Sequence, residues 1–575
     1  MSAIPASLAR LGIRDTTVIH GYECKFATYC PPASGQFNTK DDVHVIKEYI
    51  HLKDKTIIPN VKIVKNFRRK YWVTRPLHQN HKDKKESEDL AKLQEYTCTQ
   101  SELSDAVSRS LYGRPGGNSQ FKQLAKSPYL YGCDISSTAL IKKAYEDKFP
   151  ECMSPQSTVA VLDIETDVVR GTGEILVVTL SFGTRIYVAI NTRFISDIGN
   201  PEKELQYLAN KHLGKILAER NAKVEFAFFD TPGKCCKAVI DTAHEWSPDF
   251  VVVWNMDFDV PKITACLERE QYDLAEVFSD PRVPKEHRFY KYKQGKAQKV
   301  TQAGKVMSLN PADRWHVATF PAGFYIVDAM CIYRRIRMAK GNEPSYALDA
   351  ILKKHLKIGK LSLSQYDHLH GLAWHQAMQR EEPFFYVIYN IFDCVGVELL
   401  DEITNDVRST FPTLCGNSDF NNFTSNPRRL VDDLHYFFLE RNKVIATTGM
   451  DLVTDDDELV IGLKEWIITV PAHLIAENGV NIISGYETQV SMIRIHLADL
   501  DIEGTYPNIQ VAANVAKETT LRELARIDGV TERVQRLVGI NLSGGIVNAI
   551  EIGNMVLGLP TPDVWLIAAL NDPDF

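Results

Sequence analysis

The clearest pattern in the chain is a short apolar run that ends on two acids, at Thr158–Thr166 (T-V-A-V-L-D-I-E-T). Val159–Leu162 is apolar at every position, which predicts a strand buried on both faces of a sheet. Because successive side chains of a strand alternate between faces, Asp163 and Glu165 are expected on one face and Ile164 on the other. On D-x-E alone, two surface acids at a strand end explain the pattern equally well.

An apolar run that ends in acids recurs further along the chain. Phe250–Trp254 is a largely apolar strand that runs into Asn255–Asp259 (N-M-D-F-D), and Phe324–Val327 leads in the same way to Asp328. Pro261 follows the first of these runs, at a place where a new element can begin. The pattern between the acidic runs predicts two more strands and a helix, at Ile175–Phe182, Arg185–Ile190 and Pro201–Ala218.

A long apolar helix is predicted at Phe384–Thr404. Tyr389 and Asp393 stand four residues apart in it and therefore share one face. An Asp on a largely apolar helix is not expected to be buried without partners, so this helix should bring a third acidic contribution to the sheet. The pattern after it predicts a helix at Arg428–Lys443, a second at Leu459–Val470 that Pro471 ends or kinks, and a strand at Ile493–Leu500.

Composition limits the class of protein. The 575 residues are too many for one core, so several domains are expected, and 44% hydrophobic and 24% charged residues are ordinary for a soluble globular protein. The eleven cysteines lack zinc-site spacing. No stretch approaches the ~20 apolar residues that span a bilayer. We therefore expect a cytoplasmic protein, in the host cell if it is viral, with reduced thiols and no membrane association.

Two segments are rich in basic and aromatic residues. Lys62–Lys85 interleaves lysines and arginines with Phe67, Tyr71 and Trp72. This composition suits a surface that tracks a nucleic-acid backbone, and a solvated charged face is the alternative. His287–Lys299 (H-R-F-Y-K-Y-K-Q-G-K-A-Q-K) alternates in its first half as a hairpin arm does, and a disordered basic loop is the alternative.

The acids of these elements indicate one site. Strand ends of an α/β sheet gather at one edge, so Asp163, Glu165, Asp259 and Asp393 can converge although they lie far apart in sequence. Oxygen ligands suit Mg²⁺ or Mn²⁺. Four carboxylates can hold two such ions roughly 3.5–4 Å apart, an arrangement that hydrolyses phosphodiesters. One ion would activate water and the other would stabilise the leaving 3′ oxygen, with Tyr389 placed to orient the water.

These segments together resemble the three exonuclease motifs of family B DNA polymerases, particularly those of tailed bacteriophages. Asp163–Glu165 (D-I-E) is similar to the first motif, and Tyr389–Asp393 (Y-N-I-F-D) is similar to the third, Y-x-x-x-D. Asn255–Asp259 resembles the second, N-x-x-x-F-D, with one residue fewer. Pro344–Asp349 (P-S-Y-A-L-D) resembles the family's segment between the second and third motifs.

The resemblance implies a fold and a substrate. The fold is a mixed α+β multidomain protein, with an N-terminal domain at 1–150, an RNase H-like exonuclease domain with a mixed sheet at 151–405, and a partial palm with the beginning of the fingers at 406–575. The substrate is DNA, as a primer-template or a single-stranded 3′ end. The residues implied to contact DNA are Asn255 and Phe258 and, from a segment placed like the family's β-hairpin, Arg288, Tyr290, Lys291, Tyr292, Lys293 and Lys296.

A further segment resembles the first palm motif of these polymerases, D-x-x-S-L-Y-P, at Asp501–Pro507 (D-I-E-G-T-Y-P). The resemblance implies that Asp501 binds catalytic metal and that Tyr506 packs under the incoming sugar, although Gly504-Thr505 departs from Ser-Leu. The fingers motif K-x-x-x-N-x-x-Y-G is absent, as is D-T-D after Asp501. We therefore expect no polymerisation by this chain alone, and either a truncated sequence or a second polypeptide that supplies the remaining palm, fingers and thumb.

Three functions are open on this evidence. The first is the exonuclease-bearing part of a replicative family B DNA polymerase, used in proofreading. The second is a stand-alone 3′–5′ DNA exonuclease with a vestigial palm, which the register of Asp501 and Tyr506 weakens. The third is a non-catalytic DNA-binding assembly subunit, which the complete carboxylate set argues against.

Overall fold

The structure, a computed structural model, describes residues 5–31, 41–82, 84–115, 121–154, 156–195, 200–300, 305–337, 341–410 and 427–448. The chain divides into two compact units, Met1–Thr448 and Gly449–Phe575, and every described residue belongs to the first. The predicted palm residues Asp501 and Tyr506 and the predicted helix Leu459–Val470 lie outside the described residues.

A six-stranded mixed sheet holds the strand of the first acidic pair. Its strands, numbered within this sheet, are β1 (Val159–Thr166), β2 (Ile175–Phe182), β3 (Arg185–Asn191), β4 (Lys223–Phe229), β5 (Phe250–Val253) and β6 (Tyr325–Asp328). Their order is β4-β3-β2-β1-β5-β6. Neighbours among β1, β2 and β3 are antiparallel, whereas β5 pairs parallel with β1, β6 with β5, and β4 with β3. Every strand predicted here is present, and β4 was not predicted.

Helices cover both faces of this sheet. They are α1 (Pro201–Glu219), α2 (Pro232–Trp246), α3 (Met256–Arg269), α4 (Leu274–Phe278), α5 (Ala329–Ile336), α6 (Leu348–Leu356), α7 (Leu372–Glu381), α8 (Pro383–Thr404) and α9 (Asp406–Thr410). The helices α1, α5, α6 and α8 pack into the core on one face, and α2, α3 and α4 pack into the core on the other. Among the described residues, α8 alone is long and apolar enough to cross a membrane, but 89% of that stretch is buried inside the protein. It is therefore a core helix.

Alternation along β1 decides which face receives the acids. Val159 and Val161 pack in the core that contains α8, whereas the even-numbered residues from 160 to 164 pack in the opposite core. Asp163 and Glu165 continue the first set and therefore point toward α8. The predicted pairing of the two carboxylates on one face is thus confirmed, together with the mixed α/β class.

The helix after β5 begins earlier than the sequence suggested. Pro261 lies inside α3, which starts at Met256. The reason is Asp328 at the end of β6, whose carboxylate accepts the Met256 N–H at 2.9 Å and the Cys331 N–H at 2.8 Å. This third strand-end acid caps α5 and satisfies a free N–H at the start of α3, which is a structural role.

The N-terminal region is built from small antiparallel sheets and short helices. One sheet contains, in order, Ile19–Cys30, Val43–Leu52 and Ile57–Lys65. A second places Arg69–Thr74 between Leu93–Cys98 and Leu130–Tyr131. The main helices of the N-terminal region are Leu103–Tyr112 and Ser137–Lys148.

The last described residues return to this N-terminal region. Pro427–Leu439 is a helix, shorter than the predicted one, and Lys443–Ile445 pairs antiparallel with Ser87–Asp89. Val444 is buried in the same apolar cluster as Trp72. Residues 427–448 therefore complete the N-terminal core and belong to the same compact unit as residues 5–410.

The basic segment Lys62–Lys85 is partly structural. Tyr71 and Trp72 are buried in the second N-terminal sheet, so they are not available to stack on bases. Arg69 is also buried, and its guanidinium donates to the carbonyl oxygens of three residues between 132 and 135. Contacts between the exposed lysines of this segment and nucleic acid stay a prediction.

Candidate active site

The strand β1 and the helix α8 bring three carboxylates together. Asp163, Glu165 and Asp393 each offer an oxygen, and these oxygens all lie within 4.8 Å of one another. Glu165 and Asp393 are buried, with exposed fractions of 8% and 4%, and Asp163 is half-buried. The two-residue period of a strand places the first pair, and the position of Asp393 on the sheet-facing side of α8 supplies the third.

Burial and neighbouring negative charge raise the pKa of all three acids. Burial, followed by the charge of Asp393, raises the pKa of Asp163 to about 7. Burial and the charge of Asp163 raise the pKa of Glu165 well above its ordinary value, and burial also raises the pKa of Asp393. Such a cluster favours a divalent cation. Buried carboxylates are poorly screened by water and repel one another, and the cation neutralises their charge.

An unpartnered oxygen supports the same interpretation. Asp393 Oδ1 is buried and makes no hydrogen bond within the protein. Buried carboxylate oxygens normally have a hydrogen-bond donor or a cation beside them. The chemistry of this donor set, carboxylate oxygens alone, is the one that Mg²⁺ and Mn²⁺ prefer. The three residues therefore fit a divalent cation.

Asp259, the acid of the second motif, lies in the first turn of α3 and is 4% exposed. Burial, followed by the charges of Asp163, Asp328 and Glu165, raises its pKa well above the ordinary value. It is therefore close enough to interact with the cluster, although it is not one of the three residues whose oxygens come within 4.8 Å. The four predicted acids thus face one region, with Asp259 at its margin.

A lysine that the sequence analysis did not single out lies beside the third motif. Lys360 Nζ donates to the Asp393 carboxylate and, at 2.8 Å, to the Tyr389 hydroxyl. Burial lowers the pKa of Lys360, but attraction to Asp393 outweighs it, so the pKa is raised and the ammonium stays charged. The Lys360 backbone N–H donates to Asp349 Oδ1 at 2.8 Å. Asp349 is the last residue of the segment P-S-Y-A-L-D, which resembles a segment of the polymerase family. That resemblance was the feature of the sequence that could have pointed to Lys360.

Tyr389 is buried next to this lysine. Its ring stacks on Tyr386 with the centroids 5.8 Å apart and the planes 6° apart, and Trp374 lies 4.9 Å away on α7. Burial and the charge of Asp393 raise the pKa of Tyr389 far above its ordinary value, so the phenol is neutral. The hydroxyl is therefore a neutral hydrogen-bonding group at the edge of the acid cluster.

The other residues of the second motif lie at the surface. Asn255 precedes α3 and is exposed, and its side chain makes no capping hydrogen bond to the helix. Phe258 is 44% exposed, and the Lys262 ammonium lies 5.8 Å from the centre of its ring. A buried acid, an exposed aromatic ring and a lysine thus occupy one helix start, where a DNA strand is predicted to lie.

The basic segment after α4 folds into two short ladders. Lys291–Lys293 pairs with Val317–Thr319, and Gln298–Val300 pairs with Val306–Ser308. The run before Gly295 was predicted to be a hairpin arm, and this prediction is wrong, because the run pairs with Val317–Thr319. The antiparallel pair that is close in sequence lies after Gly295. Gly295 is required there, because an added Cβ would come within 2.7 Å of the backbone of Arg314 and Trp315.

The predicted DNA contacts of this segment divide into two groups. Lys291, Lys293 and Lys296 are exposed and free to meet phosphates. Arg288 instead donates to Glu276 and to the Val283 carbonyl oxygen at 2.8 Å, which leaves its guanidinium engaged within the protein.

The two tyrosines of the segment are also engaged in packing. Tyr290 stacks on Phe278 with the centroids 4.4 Å apart. Tyr292 hydrogen-bonds His316 at 3.2 Å. Both rings are half-buried and packed against other side chains, so the exposed side chains among the predicted DNA contacts of this segment are the three lysines.

No protein-family model and no curated protein matches this chain.

The arrangement is suited to hydrolysis of a phosphate ester. Carboxylates that hold divalent cations neutralise the charge that develops on a phosphodiester, and a neutral phenol beside an ammonium can fix a water molecule. Buried acids alone would repel an anionic substrate, so the site requires cations before it can bind one.

Proposed function

We propose that this chain carries a metal-dependent 3′–5′ DNA exonuclease and is the proofreading part of a family B DNA polymerase. The observation that carries the proposal is the convergence of Asp163, Glu165 and Asp393 from two distant segments, with Tyr389 on the same helix. Each motif is short. Their order in the sequence and their proximity in the structure are, however, independent observations that support the same site.

The sheet order is consistent with an RNase H-like domain. Three strands that run antiparallel in turn, with further strands added parallel to the first, form a sheet whose centre is the strand of the acidic pair. Its crossovers bring helices onto both faces. We assign the RNase H-like exonuclease class on this topology together with the motif order.

Each residue of the site has a distinct role in the proposed reaction. When bound, the two Mg²⁺ or Mn²⁺ ions would activate water and stabilise the leaving 3′ oxygen. Asp163, Glu165 and Asp393 would hold them, with Asp259 contributing from α3. Tyr389, whose hydroxyl accepts a hydrogen bond from Lys360 and also hydrogen-bonds the Asp393 carboxylate, would orient the attacking water.

The polymerase assignment rests on the resemblance of Asp501 and Tyr506 to a palm motif. We propose that a second polypeptide completes the palm, the fingers and the thumb, and that the protein works in the cytoplasm on primer-template DNA. The alternative is a stand-alone 3′–5′ exonuclease. Templated primer extension by the pure chain would refute the need for a partner, whereas extension that appears only with the second polypeptide would support it.

The exonuclease itself is tested on a single-stranded oligonucleotide labelled at its 5′ end. We expect stepwise shortening from the 3′ end that depends on Mg²⁺ or Mn²⁺. Asp163→Ala should lower the rate by several orders of magnitude, because it removes a metal ligand. Asp241→Ala is the matched control, since this acid pairs with Lys237 on the surface of α2. Unchanged digestion by Asp163→Ala would overturn the proposal.

A further inference from the structure

The helix α8 carries a stripe of polar residues on an otherwise apolar surface. Tyr386, Tyr389, Asn390 and Asp393 occupy positions i, i+3, i+4 and i+7, which form one face of a helix. All four are buried, with exposed fractions of 1%, 4%, 0% and 4%. The third motif accounts for Tyr389 and Asp393. Tyr386 and Asn390 have no assigned role, and buried polar groups of this kind are costly unless they are bonded.

Each of these two residues donates a hydrogen bond to one acid of β1. Asn390 Nδ2 donates to Asp163 Oδ2 at 2.7 Å, and the Tyr386 hydroxyl donates to Glu165 Oε2. Residues two apart in a strand are separated by about 6.6 Å along it. Residues four apart in a helix rise by about 6 Å. The two spacings match, so one row of α8 reaches both carboxylates of β1.

The direction of the tyrosine hydrogen bond is held by a third residue. The Tyr386 hydroxyl has one proton, which it gives to Glu165, so its oxygen accepts from His375 Nδ1, 2.7 Å away on α7. Burial and the charge of Lys360 lower the pKa of His375 to about 4. The imidazole is therefore neutral and carries its proton on Nδ1.

We propose that Tyr386 and Asn390 are positioning residues, which hold one oxygen of Glu165 and of Asp163 and leave the second oxygen of each carboxylate for a divalent ion. The inference rests on the proposed function and extends it, because it names the residues that set the metal affinity of the site. Donors that orient metal-binding carboxylates typically change metal affinity or activity by about 10–100-fold when they are removed.

The test is calorimetric titration of the full chain with Mn²⁺. Tyr386→Phe removes one oxygen atom and keeps the ring, and Asn390→Leu keeps the size of the side chain and removes its donor. We expect each variant to bind Mn²⁺ about 10–100-fold more weakly than wild type. Tyr366→Phe is the matched control, because its hydroxyl donates to Glu381 at 2.7 Å and to none of the three cluster carboxylates. This variant should bind Mn²⁺ like wild type.

A second readout separates a loss of metal binding from a loss of structure. In the exonuclease assay, the variants should need more Mn²⁺ to reach half their maximal rate, and excess Mn²⁺ should restore most of the rate. Asp163→Ala should not be restored. Circular dichroism in EDTA reports whether each variant is folded, and Tyr386→Phe decides the question if Asn390→Leu does not fold.

The outcomes distinguish this inference from the proposed function. Wild-type protein that neither binds Mn²⁺ nor degrades DNA would refute the proposed function. Wild-type protein that does both, with Tyr386→Phe and Asn390→Leu binding Mn²⁺ within twofold of it, would refute the positioning role alone.

Discussion

The buried ammonium of Lys47 should make the stability of this protein depend on pH in a way that one substitution removes. Its side chain is fully buried, Nζ donates to Ser247 Oγ at 2.8 Å and to the Pro248 carbonyl oxygen at 3.2 Å, and it lies 3.8 Å from Asp249 Oδ1. Asp249 Oδ2 in turn accepts from the Thr158 N–H at 2.8 Å. The network thus joins an N-terminal strand to the residues that precede β1 and β5.

The magnitude follows from the pKa of Lys47. Burial, opposed in part by Asp249, lowers it from 10.5 to about 8. Between these two values the unfolded chain holds a proton that the folded chain has lost, so this group makes the free energy of unfolding rise as the pH rises. A pKa difference of about 2.5 corresponds to about 3 kcal/mol in the free energy of unfolding. This stabilisation is present above pH 10.5 and is lost as the pH falls through 8.

The assay is urea unfolding followed by circular dichroism at several pH values, on wild type and Lys47→Met. Other groups titrate in the same range, but both proteins share them, so the difference between the two curves isolates Lys47. We expect this difference to change by about 3 kcal/mol between pH 8 and 10.5. At pH 7, Lys47→Met should be destabilised because Asp249 loses its cation, and Asp249→Asn in the same chain should recover much of the loss.

Lys65→Met is the control, because Lys65 is a half-exposed lysine on the neighbouring strand, with 54% of its side chain accessible. It should leave the pH dependence as in wild type. A difference between wild type and Lys47→Met that stays constant across this pH range would show that Lys47 keeps its ordinary pKa in the folded protein.

The remaining predictions concern the site. Mn²⁺ at 100 times its Kd should stabilise the folded chain by about 3 kcal/mol and so raise the midpoint of thermal unfolding. Asp163→Ala should abolish this shift, and an equal shift in that variant would mean that the ion binds elsewhere. Lys360→Met should slow exonuclease turnover by about 10²-fold. Lys215→Met, which changes an exposed lysine on α1, should not, and equal rates for the two variants would mean that Lys360 only packs. Replacing Lys291, Lys293 and Lys296 by Gln should slow removal of a paired 3′ end more than digestion of single strands, and an equal loss on both substrates would indicate general phosphate binding.

Local periodicity determined the parts of the site that belong to single elements. The alternation of β1 places Asp163 and Glu165 on one face whatever the strand packs against, and helical spacing places Tyr389 and Asp393 on one side of α8. These features need no knowledge of distant residues, which is why the sequence predicted them. The stripe of α8 was also readable in full, since Tyr386 and Asn390 interrupt the same apolar run.

Packing of the folded chain determines which charged and aromatic residues are free for function. Lys360 reaches Asp393 because Asp349 holds its backbone, Asp328 caps helices instead of joining the acids, and Arg288 is engaged with Glu276. Each of these outcomes depends on contacts between separate elements. The sequence around a charged or aromatic side chain is the same whether that side chain contacts solvent, a ligand or another part of the fold. Its partner is determined only when the separate elements pack together.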